Sequence, residues 1–205
     1  MQPGNYIKSF ARKQLCQSLS HTPDADKLSH IVFSPTLIKR VIRKIRTKAK
    51  GGPDAIPPVF YKTCCDQLSL PLSFLFQLSF HHGYLPPVWL TAFITPVFKK
   101  GDAADPNNYR PIALTCTLCK IMESIIKDQL VSYLLRKNYI SKKQHAFLRR
   151  HSTATNLLEC THDWVISLSK SMCVDVVYID FSRAFDSIVF SKLLSKLSSY
   201  GIDGK

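Results

Sequence analysis

Apolar residues recur along the chain at two distinct spacings. Ile38, Val41, Ile42 and Ile45 fall three and four apart, as do Leu118, Ile121, Met122, Ile125, Ile126, Leu130, Tyr133 and Leu134. Both series predict amphipathic helices with a buried stripe. Ser34-Pro35 starts the first of them, with Ser as N-cap and Pro at the first helical position. Ser152 caps a further helix whose stripe is Ala154, Leu157, Leu158, Thr161, Val165 and Leu168. Between these lies a strongly apolar helical region from about Pro58 to Tyr84, after which Pro86-Pro87 breaks the chain before Trp89. Tyr6–Leu19 reads as a short basic helix, and His21–Ser29 as a polar turn region. Ser191–Tyr200 is the last helix, ended by Gly201.

Strand signals are fewer. Ala92–Phe98 alternates, with Pro96 placing it at an edge or a bulge. Lys99-Lys100-Gly101-Asp102 follows as a basic turn, and Ala103–Pro111 as a loop carrying Asn107, Asn108, Tyr109 and Arg110. Val174–Ile179 is a short β-branched and aromatic run, which predicts a buried strand with Asp180 at its end. Ser182-Arg183-Ala184-Phe185-Asp186 then begins a turn or short helix. Gly51-Gly52-Pro53-Asp54 is a turn without the Gly-Lys-Ser/Thr ending of a phosphate-cradling loop. Ser141 to His151 is a basic connector, and no internal repeat is present. The fold class expected is therefore mixed α and β, with helices dominating the first two-thirds.

The chain has 205 residues, enough for one domain or a large piece of one, and 45% of them are hydrophobic, enough for a core. Charge narrows the partners: 28 Lys and Arg against 14 Asp and Glu give +14, which calls for a polyanion, either nucleic acid or an anionic membrane surface. Leu68–Phe80 and Val174–Ile179 are too short or too interrupted to span a bilayer. Met1-Gln-Pro-Gly-Asn lacks the apolar core of a secretory signal, so an intracellular setting, nucleus or cytoplasm, is expected, with the seven cysteines as reduced thiols. Cys116-Thr-Leu-Cys119 has zinc or redox spacing, yet no second Cys or His pair follows, and core thiols at a helix start are the better reading. Adjacent His81 and His82 point in different directions on a helix and imply no shared metal. Lys39, Arg40, Arg43, Lys44 and Arg46 cover one helix face, either as a solvated surface or as a phosphate-contacting one.

Asp180 stands out on physical grounds. A carboxylate directly after an apolar strand sits at a sheet edge, where ligand sites often lie. Asp175 points to the opposite face of a regular strand, and the direction of Asp186 is undetermined beyond the turn. The bland alternative is that Asp180 caps the following turn.

The surrounding residues add to this. Val177-Tyr178-Ile179-Asp180-Phe181-Ser182-Arg183-Ala184-Phe185-Asp186 closely resembles the first catalytic motif of reverse transcriptases from LINE-type retrotransposons. Gly52-Pro53-Asp54-Ala55-Ile56-Pro57 resembles that family's Gly-Pro-Asp-Gly-Ile-Pro. Trp89 through Pro96-Val97-Phe98-Lys99-Lys100-Gly101-Asp102 resembles its Trp…Pro-x-x-Lys-Lys-Gly-Asp, and Asn108-Tyr109-Arg110-Pro111-Ile112-Ala113-Leu114 its Asn-Tyr-Arg-Pro-Ile-Ser-Leu. Gln144-His145-Ala146-Phe147 with Ser152-Thr153 resembles its Gln-His-Gly-Phe…Ser-Thr block. The resemblance runs from about Lys48 to the end, in the same order.

It implies the fingers and the start of the palm of a right-hand polymerase: a basic pre-fingers segment over 1–50, fingers over 51–172 and the beginning of the palm over 173–205. By resemblance Asp180 binds two divalent ions, Mg²⁺ or Mn²⁺, with help from the Phe181 backbone carbonyl. Phe185 occupies the steric-gate position that crowds a sugar 2′-hydroxyl; its alternative is core packing. Arg110, assisted by Lys99, matches the contact to the incoming triphosphate; its alternative is an exposed charge. The partners implied are an RNA template, a DNA primer and deoxynucleotide triphosphates, with no membrane and no obligate protein partner.

Departures matter as well. The family's aromatic-x-Asp-Asp hairpin is missing, and no Asp-Asp pair occurs in the sequence. One carboxylate does not hold two metals in catalytic geometry, so this polypeptide is expected not to polymerise DNA alone. A partial palm sheet would leave an unpaired edge and exposed apolar surface. Ala55 and Ala146 stand where the family has Gly, which costs on the order of 1 kcal/mol wherever positive φ is required. Leu148 and His151 replace residues that are usually basic there. The function expected is thus part of an RNA-directed DNA polymerase. The competing readings are a non-catalytic nucleic-acid-binding relic and a translated remnant without function.

Overall fold

A computed structural model describes residues 27–47, 51–181 and 184–202. The expected helix Tyr6–Leu19 and most of the His21–Ser29 turn lie outside them. Helices α1 (Pro35–Arg43), α2 (Pro58–Thr63) and α3 (Cys65–His82) precede a hairpin of strands β1 (Phe93–Phe98) and β2 (Tyr109–Leu114). Helices α4 (Thr117–Arg136), α5 (Thr153–Ser169) and α6 (Phe190–Ser199) follow. Helix and sheet are mixed, as the sequence pattern requires. The chain divides into two units, one of Ala25–Tyr133 with Ile202–Lys205 and one of Met1–Asp24 with Leu134–Gly201.

In the first unit the helical stripes are buried. Ile38 and Ile42 of α1 are fully buried, with Val41 and Ile45 packed beside them. Ser34 caps α1 by accepting from the Leu37 N–H at 3.3 Å, and Pro35 sits in the first turn where a missing N–H is harmless. The expected single helical region 58–84 is two helices broken at Cys64, and Gly83 ends α3 with φ 61°. Helix α4 contributes Ile121, Met122, Ile125 and Tyr133 to the buried set.

A chain of edge-to-face aromatics runs through this core. Phe33 lies 5.7 Å from Phe80 and 5.8 Å from Phe76, and Phe76 lies 5.8 Å from Trp89. The extended backbone carrying Phe33 is held by side chains on both sides. Ser73 donates to the Phe33 carbonyl at 2.6 Å. Gln129 of α4 accepts from the Val32 N–H at 3.0 Å and donates to its carbonyl at 2.8 Å. Backbone groups without a strand partner are thereby hydrogen-bonded.

Cys116 and Cys119 are core thiols at the start of α4, as the sequence indicates. They donate to the carbonyls of Val88 at 3.3 Å and Trp89 at 3.4 Å. Burial, and secondarily the neighbouring Cys116, pushes the Cys119 thiol up to about 11. Tyr61 is also buried; burial first, then the Asp54 carboxylate, raises its phenol well above the usual range. A raised phenol favours the folded state while neutral. That contribution is complete below pH 10 and is lost as the pH rises beyond it.

The Gly51–Asp54 turn packs tightly on α4's start. A Cβ on Gly52 would lie 2.6 Å from the Cys116 Cα and 2.6 Å from the Thr115 carbonyl oxygen. Ala55, where the resembling pattern has Gly, adopts φ 55°, a left-handed conformation that its Cβ disfavours. Ala146 carries no such strain, which falls instead on Phe147 and Arg150, each at φ 63°.

Two strand readings are corrected. Residues 109–114, read as the end of a loop and unassigned chain, form β2, antiparallel to β1. Proline at both Pro96 and Pro111 obscured this, yet the register sets them directly opposite each other. Neither has an N–H to give, so they occupy a non-hydrogen-bonded pair, where none is needed. The Lys99 N–H bond to the Asn108 carbonyl at 2.7 Å has the matching phase. Conversely, Val174–Ile179 is not a buried strand. No strand is assigned there, and Val177, Tyr178 and Ile179 are 81%, 86% and 76% exposed. A strand exists by pairing, and among the described residues no segment pairs with this one.

The second unit keeps its helices. Ser152 caps α5 in a reciprocal box with Thr155, and α6 ends before Gly201 at φ 75°. Its apolar stripes are exposed, Leu157, Leu158, Val165 and Leu168 among them.

Three outcomes follow from this packing. Ala55→Gly should raise stability by about 0.5–1 kcal/mol in a denaturant melt, because relief of the left-handed Cβ exceeds the added unfolded-state entropy. Gly52→Ala should lower it by about 1–3 kcal/mol, the usual cost of overpacking. At pH 8 a thiol reagent should label exposed Cys173 quickly and reach Cys116 and Cys119 only on unfolding; fast labelling of either would contradict their burial.

Candidate functional site

The hairpin positions Lys99 and Arg110. Arg110 lies opposite Val97 in the register, and Lys99 lies opposite Asn108 two pairs further along. Opposed residues in an antiparallel ladder share a face, and so do alternate pairs. Lys99 and Arg110 therefore project from the same face as diagonal neighbours. Both are exposed, and neither forms an ion pair with a described residue.

The turn joining the strands is built from its own polar residues. Gly101 has φ 95°, and a Cβ there would meet the Asn108 side-chain nitrogen at 2.7 Å. Asn108 Nδ2 donates to the Asp102 carbonyl at 2.9 Å, and Asp102 accepts from the Ala104 N–H at 2.9 Å. Asp105 accepts from the Asn107 N–H at 2.9 Å, and the Tyr109 hydroxyl donates to the Ala103 carbonyl at 2.9 Å. The sequence Lys-Lys-Gly-Asp…Asn-Tyr-Arg thus encodes a self-bonded turn that fixes where two cations emerge.

The basic face of α1 is divided. Lys39 pairs with Asp66, Arg43 lies 3.9 Å from the same carboxylate, and chiefly Lys39 holds that carboxyl below its ordinary range. Arg40, Lys44 and Arg46 stay exposed and without an acidic partner among the described residues.

Asp180, Phe181 and Phe185 lie in the second unit. Asp180 is exposed in the irregular segment that replaces the expected strand, and no described residue hydrogen-bonds or ion-pairs with it. The opposed-face argument about Asp175 does not apply outside a regular strand. Phe181 and Phe185 are 76% and 74% exposed, so Phe185 is not packed in a core. Reverse transcriptases generally use divalent metal ions. Among the described residues, however, no three His, Cys, Asp or Glu side chains converge. The described donor set is one carboxylate, which does not by itself fit a two-ion centre.

A further polar cluster went unassigned in the sequence. His145 is almost buried, its Nδ1 3.0 Å from the Thr155 hydroxyl and its Nε2 2.8 Å from Glu159. Lys143 pairs with the same Glu159 and lies 3.3 Å from Asp163. Lys143 first, then His145, holds the Glu159 carboxyl below its usual range. The Gln-His-Ala-Phe block was visible in the sequence; its partners on α5 were not.

No described helix is long and apolar enough to cross a membrane. Residues 97–205 match the family model described as reverse transcriptase (RNA-dependent DNA polymerase). The chain is 26% identical over 92% of its length to the RNA-directed DNA polymerase from mobile element jockey of Drosophila melanogaster, covering 21% of that protein. It is 25% identical over 92% of its length to the probable RNA-directed DNA polymerase from transposon BS of the same fly, again covering 21%. It is 29% identical over 65% of its length to the retrovirus-related Pol polyprotein from type-1 retrotransposable element R2 of Popillia japonica, covering 18%. The chain thus spans about a fifth of the length of these relatives. Its matched region contains the hairpin cations, the His145 cluster and the Asp180 segment alike, and the chain belongs to the reverse transcriptase family, as a reverse transcriptase domain of a LINE-type element.

Proposed function

We propose that this chain supplies the nucleotide-handling part of an RNA-directed DNA polymerase acting on an RNA template, a DNA primer and deoxynucleotide triphosphates. Residues 51–172 serve as fingers, 1–50 as a preceding basic segment and 173–205 as the start of the palm. The observation that carries this reading is the shared hairpin face of Lys99 and Arg110, two exposed cations without acidic partners among the described residues. Arg110 presents a planar fork suited to phosphate oxygens, and Lys99 adds a point charge beside it. Asp180 contributes one carboxylate, and the Phe181 carbonyl one further oxygen, toward divalent ions of the Mg²⁺ class in the complete enzyme. The exposed Phe185 ring limits the space at a sugar 2′ position.

The competing reading, nucleic-acid binding without catalysis, is favoured by Arg40, Lys44 and Arg46, which are exposed and without an acidic partner among the described residues, and by the charge of +14. Counterion release makes such binding fall steeply with salt.

Arg110→Ala should weaken triphosphate binding by roughly 10- to 100-fold, the range expected for losing charged hydrogen bonds. Unchanged affinity in a calorimetric titration would remove Arg110 from the site. On single-stranded RNA, removing either cation should lower the slope of log affinity against log salt by about 1. With one carboxylate in the described set and no Asp-Asp pair in the sequence, the 205-residue chain should synthesise no DNA on a primed RNA. Synthesis abolished by Asp180→Asn would overturn that expectation.

A further inference from the structure

The loop between the His145 cluster and α5 holds two non-glycine residues in the left-handed region, Phe147 and Arg150, both at φ 63°. A bulky residue there is an outlier that persists only where its surroundings over-determine it. The surroundings do so here. His145 is fixed through both ring nitrogens to Thr155 and Glu159. Gln144 donates to the Ala146 carbonyl at 3.2 Å. His151 stands edge-on to His145 with centroids 5.1 Å apart, and its Nδ1 lies 2.9 Å from the Arg149 carbonyl. Ser152 and Thr155 close the loop with their reciprocal cap.

Burial does not account for this arrangement, because Phe147 is 80% exposed. Its described ring contact is with Phe185, at 6.1 Å between centroids and 88° between planes. That is an edge-to-face pair. We infer that Phe147 is a positioning residue for Phe185: the braced loop holds the Phe147 ring against the Phe185 ring and so sets how strictly a nucleotide's 2′ position is read. The inference rests on the proposed role of Phe185 at the sugar. The His145 network acts behind it, holding the loop backbone rather than touching the nucleotide.

The test uses the 205-residue chain with dATP and ATP, which differ only at the 2′ position, titrated calorimetrically in Mg²⁺. Phe185→Ala should raise the affinity for ATP relative to dATP. Phe147→Ala should move the same ratio in the same direction by about 3-fold, the scale of one aromatic pair. Phe147→Tyr should restore it, and the double variant should move it no further than Phe185→Ala alone. In NMR spectra with labelled phenylalanine, a ring-to-ring cross-peak between Phe147 and Phe185 should be present and should vanish in Phe147→Leu, which keeps bulk without the ring. A missing cross-peak in the wild-type chain overturns the inference whatever the nucleotides do. Phe185→Ala shifting the ratio while Phe147→Ala leaves it unchanged, or additive shifts, overturns the inference and leaves the gate standing. Neither variant moving the ratio, or no binding of either nucleotide, overturns the gate and the inference together.

Discussion

The row of edge-to-face rings from Phe80 through Phe33 and Phe76 to Trp89 is the contact on which the first unit's packing turns. Phe33 reaches it from a segment with no regular structure, so the backbone there needs partners before the ring can be buried. Ser73, Gln77 and Gln129 supply them from α3 and α4. Trp89 at the far end accepts from Cys119 and so ties the aromatic row to the first turn of α4. Each of these bonds is modest alone, but at the buried Cys119–Trp89 bond and the part-buried Phe33 backbone an unmade bond costs more than a made one returns. Hydrogen bonding and burial are therefore interdependent along this row.

The same logic explains the hairpin. A two-stranded sheet has little intrinsic stability, and this one contains a proline in each strand. Setting the two prolines opposite each other confines both missing donors to one non-hydrogen-bonded pair. The register fixed in this way leaves Arg110 and Lys99 on one face. The Gly101 turn closes the other end with side-chain bonds of its own. Two cations thereby share a face with no acidic partner among the described residues, an arrangement whose repulsion a bound polyanion would relieve.

In the second unit, apolar residues at helical spacing in α5 and at strand-like density in Val174–Ile179 are exposed. Periodicity selects the local conformation, yet it buries nothing without a facing surface. Local order at the start of α5 comes instead from polar chemistry. His145, Glu159 and Lys143 form a charged cluster against α5, and the Ser152–Thr155 cap fixes where that helix begins.

The sequence by itself determined α1, α4, α5 and α6, the Ser34 and Ser152 caps and the stop at Gly201, because spacing, Ser-Pro starts and terminal glycines act within a few residues of one another, whereas the break at Cys64 carried no such signal. It also determined the family, since Lys-Lys-Gly-Asp, Asn-Tyr-Arg-Pro and the Asp180 run are local words. Strand β2 was hidden, because a proline in a strand is tolerable only in light of what lies across from it. The Val174–Ile179 strand was expected from composition that is favourable for pairing, whereas pairing requires a neighbour that composition does not reveal. The approach of Lys99 to Arg110, the anchoring of His145 by Glu159 and the meeting of Phe147 with Phe185 were likewise settled by tertiary structure. Each joins residues separated by a turn, a loop or a helix, and only the folded backbone fixes the distance between them.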